Sequence, residues 1–329
     1  MPRRRSPRPI ALLLVAVVLG YPLLLGFLAW TSLNRVPALA GSRPEDTPGR
    51  IYLVVGSDSR AGLTAEERRT LGTGRAAGRR TDTIMIMAVP PGGGPTVLVS
   101  VPRDSYVPIP GHGSNKINAA YAFGGPRLLV DTVEQAMGIR VDTYVETGLG
   151  GFAAIVDAVG GVNICVERPM RDVKAHINLK AGCQDFDGPT ALGYARARYS
   201  DPRGDLGRVE RQRKVLAAIA NRALSPSVLV QPWRAIPAAR AGGNALTVDE
   251  GASPVAVTRF VLGMRAVAGG GGLSLTVPIS NPAYSTPAGQ AVLWDQARSA
   301  RLFRALRNGR TENIRPLAEE QERLLRGRR

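Results

Sequence analysis

Apolar positions in this chain form short β-branched runs in the first third and helix-spaced stripes beyond it. Residues 51–55 (IYLVV) are an unbroken apolar run ending in glycine, which predicts a strand buried on both faces. Residues 83–89 (TIMIMAV) and 96–101 (TVLVSV) predict a second and third strand, joined by PPGGGP, a hairpin signal. Helical spacing begins at residues 116–123 and 126–137, the latter with proline in its first turn and Gly138 past its end. Further helices are predicted over residues 152–159, 189–195, 206–224, 254–267 and 287–306, and strands over 143–146, 162–166 and 273–277. Strands alternating with helices predict an α/β layered domain over residues 51–307, a central mixed sheet flanked by helices. Residues 31–50 read as a Pro/Gly/Ser-rich linker, residues 61–80 as a polar loop, and residues 308–329 as a charged, frayed tail.

The N-terminus sets the compartment. Residues 1–9 carry Arg3, Arg4, Arg5 and Arg8 and no acid, and residues 10–30 carry no charge at all. About 20 apolar residues at ~1.5 Å each span a bilayer core, and arginine before the span predicts a cytoplasmic N-terminus. Residues 10–30 are therefore expected to be a single transmembrane anchor, with the domain outside the cell membrane. A cleaved signal peptide ending at Ala38-Leu39-Ala40 is the competing reading. The apolar run is longer than a usual signal core, and either reading exports the domain. Outside the cytoplasm the two cysteines, Cys165 and Cys183, are expected to form a disulfide. Two thiols with only His112 and His176 are a poor set for a cysteine-based metal site.

Charge changes the picture less than its size suggests. The formal net charge is +17, and lysine occurs only at Lys116, Lys174, Lys180 and Lys214, so the excess is arginine. Coding bias toward arginine, alanine and glycine explains part of that excess, so each arginine is judged by position. No helix-turn-helix, zinc finger or RNA-binding aromatic motif is present, and an exported domain does not meet DNA, so no nucleic-acid partner is expected. Residues 148–153 (GLGGFA) match the spacing of a dinucleotide-binding turn. The short preceding strand and the external compartment favour a glycine-rich turn that starts a helix.

Four segments concentrate aspartate and arginine at element ends: 56–60 (GSDSR), 80–83 (RTDT), 102–104 (PRD) and 196–212 (RARYSDPRGDLGRVERQ). Taken singly, such pairs are surface ion pairs worth about 0–1 kcal/mol. If the second strand runs antiparallel to the first and third, Asp58, Arg60, Arg80, Asp82, Arg103 and Asp104 share one sheet edge. In the fourth segment Arg208 and Gln212 fall on one helix face, Asp205 is placed to cap that helix, Arg196 and Arg198 alternate, and Arg211 reads as solvated. Arginine forks grip phosphate bidentately, and Mg²⁺ takes one or two carboxylates plus phosphate oxygens. The mixture therefore suits a pyrophosphate with a metal ion.

Five motifs in order, GSDSR, RTDTIMIM (80–87), SVPRDSYVPIPG (100–111), KINAAYAFGGP (116–126) and YARARYSDPRGDLGRVERQ (194–212), resemble the LytR–CpsA–Psr family of cell-wall proteins. The resemblance spans residues 50–310 and implies transfer of a glycopolymer from a polyprenyl-pyrophosphate carrier to peptidoglycan. By motif, Asp58 and Asp82 look like carboxylates for Mg²⁺. Arg103, Arg196, Arg198, Arg208 and Gln212 look like pyrophosphate contacts, and Arg60, Arg80 and Asp205 match motif positions of less defined role. Asp104 is a candidate base. Hydrolytic release of the polymer, or binding of a lipid-linked glycan without turnover, would use the same groups. The loop between the first two motifs is longer than the family pattern.

Overall fold

The computed structural model describes residues 8–39, 43–58, 66, 69, 71, 81–197 and 205–326; for 8–19, 205, 206, 209 and 324–326 only the backbone is described. Arg60, Arg80 and Arg198 lie outside the described residues, as does most of the 61–80 loop.

Seven strands build the central sheet in the order Asn34–Val36, Leu246–Asp249, Thr143–Thr147, Arg50–Ser57, Thr81–Val89, Val97–Val101, Leu273–Thr276. Thr81–Val89 is antiparallel to both its neighbours, while the Arg50–Ser57/Thr143–Thr147 and Val97–Val101/Leu273–Thr276 pairs are parallel. Because side chains alternate along a strand, Ile51, Leu53, Val55, Ile84, Ile86, Val97 and Val99 face one way. They pack with residues of the Ile117–Met137 and Gln296–Arg307 helices, among them Leu129, Val133 and Leu302. Tyr52, Val54, Met85, Met87 and Leu98 face the other way, onto Phe260 and Met264 of the Pro254–Ala268 helix. Both faces are covered, which is why these strands read as continuous apolar runs. A third core joins the Leu149–Ala158, Gly188–Arg196 and Asp205–Ala223 helices to two small hairpins through Val156, Ile164, Ile177, Phe186, Tyr194 and Val215.

The two helices expected over residues 116–123 and 126–137 are both present, separated at Gly124-Gly125, where Gly125 takes φ 66° before Pro126. Several other expectations are corrected. Residues 31–50 are not all linker: Asn34–Val36 is an edge strand, and Asp249 Oδ1 accepts the Ala38 and Leu39 N–H groups at 3.2 and 2.9 Å. Residues 279–294 form a hairpin (Ile279–Thr286 with Gly289–Trp294), and the helix starts only at Gln296, capped by Asp295. Over its described residues the tail is folded rather than frayed. Thr311–Ile314 is a 3₁₀ turn with Ile314 fully buried, and the Arg315–Arg326 helix follows. Gln321 of that helix accepts the Thr276 N–H at 2.6 Å and donates to the Thr276 carbonyl at 3.1 Å. A side-chain amide thus satisfies backbone groups that an edge strand leaves unpaired.

The apolar N-terminal run lies in a helix, Arg8–Thr31, that packs against the Pro232–Ala245 helix; a Cβ on Gly243 would collide with the Ala29 carbonyl. Among the described residues no helix is long and apolar enough to cross a membrane, and the side chains of residues 8–19 lie outside the description. The glycine-rich turn at 148–153 has a packing explanation: a Cβ on Gly151 would stand 2.7 Å from the Ala245 carbonyl oxygen.

Cys165 and Cys183 form a disulfide across register partners of the Val162–Val166/Gly182–Phe186 hairpin, with a sequence separation of 18. In the chain-entropy view a loop of this size stabilises by about 3 kcal/mol. The Cys165→Ser/Cys183→Ser pair is expected to lose roughly that much in urea denaturation; a loss within ~0.5 kcal/mol, the range of ordinary surface changes, would contradict it.

Candidate anion site

The antiparallel order of the first three motif-bearing strands puts their aspartates and arginines at one edge of the sheet. Gly56 pairs with Thr83 and Ser57 with Thr81, so Asp82 is the extra residue of a β-bulge. Bulges re-aim side chains at sheet rims, and here the bulge carries Asp82 to a cavity. Gly56 belongs to this device: a Cβ there would come 3.0 Å from Thr83 Cβ.

Arg103 and Asp104 occupy the turn after the Val97–Val101 strand, which is held from two sides. The Asn118 N–H donates to the Arg103 carbonyl at 3.2 Å, at the start of the Ile117–Met137 helix. The Val292 N–H donates to the Asp104 carbonyl at 2.8 Å, and Trp294 Nε1 donates to Ser105 Oγ at 2.8 Å. Arg103 pairs through Nη1 with Asp82 and through Nε with Asp104 at 3.5 Å, and Lys116 Nζ reaches Asp104 at 3.3 Å.

These groups line a cavity of about 480 Å³ together with Arg208 and Gln212. The rest of its wall mixes apolar side chains, Ile84, Met85 and Val101 from the sheet and Ile279, Ala291 and Val292 from the hairpin, with the neutral polar residues Thr83, Ser100, Thr276 and Gln290. Arg208 and Gln212, 8% and 9% exposed, share a face of the Asp205–Ala223 helix as their spacing predicts. A second cavity of about 180 Å³ shares Asp82, Arg103, Arg208 and Gln212 and adds Asp172, Lys174 and Arg196. Arg196 also donates to the Leu71 carbonyl at 3.2 Å.

Six candidates therefore converge: Asp82, Arg103, Asp104, Arg196, Arg208 and Gln212. Asp58 lines neither cavity; it follows Ser57, the register partner of Thr81, and so stands at the same edge. Asp205 opens its helix, and its side chain is not described. Arg211 departs from the solvated role its position predicts. It is 3% exposed, donates through Nε to the Tyr194 carbonyl at 3.2 Å and through Nη2 to the Ala197 carbonyl, and lies 6.0 Å from the Tyr194 ring centroid. Its role is to fasten the Arg196 segment to the Asp205–Ala223 helix.

Sequence reasoning misses Lys116, Lys174, Asp172, Ser100, Thr276 and the hairpin wall. Lys116 stands in the KINAAY motif and is one of only four lysines, a usable signal. The hairpin carries none, because its second strand falls in a stretch whose spacing predicts a helix. Arg213, also missed, donates to Ser100 Oγ and Thr276 Oγ1. Burial pushes its guanidinium down to about 10, with Glu210 pulling it back up.

Among the described residues no three His, Cys, Asp or Glu side chains gather into a metal site. Two carboxylates at one edge, Asp58 and Asp82, remain a fitting set for a hard cation such as Mg²⁺, which commonly takes one or two carboxylates and completes its shell with phosphate oxygens and water.

Fold and site together define an α/β protein with a partly apolar cavity lined by arginines and aspartates. The LytR_cpsA_psr family model matches residues 34–249, and the chain belongs to that family. It is 45% identical to the probable cell wall biosynthesis protein LcpB of Corynebacterium glutamicum, over 89% of this chain and 70% of that protein. It is 31% identical to the cell wall biosynthesis protein LcpA of the same organism, over 84% of this chain and 61% of that one. A stretch covering 46% of this chain and 50% of its relative is 43% identical to the polyisoprenyl-teichoic acid–peptidoglycan teichoic acid transferase TagU of Enterococcus faecalis. Among solved structures, the LytR-Csp2A-Psr enzyme from Actinomyces oris superposes with a TM-score of 0.65 at 20% identity, over 85% of this chain and 97% of that one. TagT bound to LIIa-WTA superposes with a TM-score of 0.61 at 24% identity, over 84% and 99%. These two show a shared fold.

Proposed function

We propose that this chain is a membrane-anchored, Mg²⁺-dependent phosphotransferase that moves a glycopolymer from a polyprenyl-pyrophosphate carrier to peptidoglycan, forming a phosphodiester link. The observation that carries the reading is the cavity where Asp82, Arg103, Asp104, Arg208 and Gln212 meet a partly apolar wall. Charged groups at one side suit a pyrophosphate, and the wall suits the first units of an apolar chain. The names of LcpB, LcpA and TagU support a cell-wall role, and the TagT structure supports a teichoic-acid-like ligand for this fold. The apolar run of residues 10–30 supports an anchor in the cell membrane with the domain outside.

In this reading Asp58 and Asp82 would hold Mg²⁺, which would neutralise charge on the phosphate oxygens. Arg103, Arg196 and Arg208 bind and orient the pyrophosphate, and Gln212 donates an amide hydrogen bond. A sugar hydroxyl of peptidoglycan attacks the phosphorus on the glycan side. The new O–P bond forms as the bridging P–O bond breaks, and polyprenyl phosphate leaves. The hydroxyl proton passes to Asp104, which lines the cavity beside Arg103. Phosphoryl transfer asks a protein chiefly for positioning and charge stabilisation, so no nucleophilic side chain is needed. By motif Arg198 would join the pyrophosphate contacts, and Arg60 and Arg80 match motif positions of less defined role; all three lie outside the described residues.

The test uses the full chain in detergent with a polyprenyl-pyrophosphate glycan and nascent peptidoglycan, with and without Mg²⁺, beside Asp82→Ala. Attachment of glycan to the wall polymer is expected only with Mg²⁺ and the wild-type residue, falling at least about tenfold in the variant, the loss of one charge-stabilising contact. Free glycan phosphate without attachment would identify a hydrolase. Donor binding with neither product would make the chain a carrier-binding protein.

A further inference from the structure

One cation of the site region has no part in the chemistry above. Arg213 follows Gln212 on the Asp205–Ala223 helix and donates to Ser100 Oγ through Nε at 3.1 Å and Nη2 at 2.9 Å, and to Thr276 Oγ1 through Nη2 at 3.0 Å. These acceptors are neutral; no carboxylate among the described residues makes an ion pair with Arg213. Glu210 acts on it only through space and is itself paired with Lys214 at 3.1 Å. A buried guanidinium whose direct partners are all neutral is costly unless something balances it.

Its two acceptors are register partners, Ser100 on Val97–Val101 and Thr276 on Leu273–Thr276. They are 1% and 5% exposed, and both line the cavity of about 480 Å³. A hydroxyl offers one proton and two lone pairs. Each of these accepts from Arg213, and no described protein group accepts its proton in return. A hydroxyl that accepts from a cation is a stronger donor, since linked hydrogen bonds polarise one another. The charges around the cavity point the same way: Arg103, Lys116 and Arg208 on the lining with Arg213 behind it stand against Asp82 and Asp104. Among the described residues of the lining the surplus is positive, the sign an anionic ligand requires.

We infer that Ser100 and Thr276, polarised by Arg213 from behind, form an anion subsite on the cavity wall that receives a phosphoryl group of the pyrophosphate. The inference rests on the pyrophosphate reading and adds three residues to it: two that touch the ligand and a positioning arginine behind them. It also explains why a charge is placed beside the apolar part of the cavity, on the sheet face that carries Met85 and Leu98.

The experiment titrates inorganic pyrophosphate into the full chain in detergent by calorimetry and follows the pyrophosphate-induced shift in thermal midpoint. Arg213→Met is expected to weaken binding by about tenfold, one charge-assisted hydrogen-bond system's worth. Its ligand-free midpoint should hold or rise, and Arg213→Lys should recover part of the affinity. Ser100→Ala with Thr276→Val, which leaves the arginine in place, should weaken binding to a similar degree and serves if Arg213→Met fails to fold. Unchanged affinity in a folded Arg213→Met overturns the subsite and leaves the transferase reading standing, with Arg213 then a staple between helix and sheet. Absence of pyrophosphate binding by the wild-type chain overturns both.

Discussion

Arg103→Ala is expected to lower kcat/KM for glycan transfer by about 10²–10³-fold, the loss typical of one preorganised charge-stabilising donor. Arg103 is the side chain common to both cavities that also bridges both site carboxylates, Asp82 and Asp104. With alanine there, two carboxylates lose their shared cation and face the incoming anion together. Fold stability should change little, because pairs as exposed as Asp82 at 44% and Arg103 at 22% contribute about 0–1 kcal/mol each. Arg103→Lys keeps the charge but not the fork that grips two oxygens, so it should recover part of the rate. Steady-state kinetics beside a melting curve checks this. A near-wild-type kcat/KM in a folded Arg103→Ala protein would remove Arg103 from the site.

Arg211→Ala is expected to destabilise the fold by about 3 kcal/mol, two charge-assisted hydrogen bonds lost in a buried setting. Tyr194 is in the last turn of the Gly188–Arg196 helix, where carbonyls have no partner within the helix, and Ala197 follows it. Arg211 satisfies both carbonyls and covers the Tyr194 ring. Alanine would leave two buried acceptors and a cavity beside an aromatic ring. Lysine would not replace the fork, so Arg211→Lys should restore little. Because the same contacts fix the segment that bears Arg196, transfer should fall along with stability. Urea denaturation gives the number, and a loss below ~1 kcal/mol would show that the segment is held elsewhere.

The central strands and the shared edge are legible in the residue pattern alone. Strands buried on both faces must be apolar throughout, so residues 51–55, 83–89 and 96–101 announce themselves, and their antiparallel order carries Asp82, Arg103 and Asp104 to one rim. Arg208 and Gln212 are legible because a helix places residues four apart on one face. The disulfide follows from two cysteines in a chain expected to be exported. Local pattern fails where a residue's role depends on a distant partner. Arg211 and Arg213 look like solvated charges on a polar helix until the helix packs, and then one meets backbone carbonyls and the other meets two hydroxyls on the sheet. The Pro232–Ala245 helix is hidden by Pro237, Gly242 and Gly243, residues of low helical propensity that close packing against Ala29 requires at Gly243. The charged tail looks unable to order itself, yet Gln321 completes the hydrogen bonds of a strand edge 45 residues earlier in the chain.

The sequence by itself determined the layered α/β class, the sheet's core strands and most of the charged groups of the site, because burial and helix periodicity act over a few residues. Tertiary structure alone decided the bulge that turns Asp82 into the cavity, the hairpin that walls it, and the division of the arginines between ligand and scaffold, because each of these is settled by contacts between segments far apart in the chain.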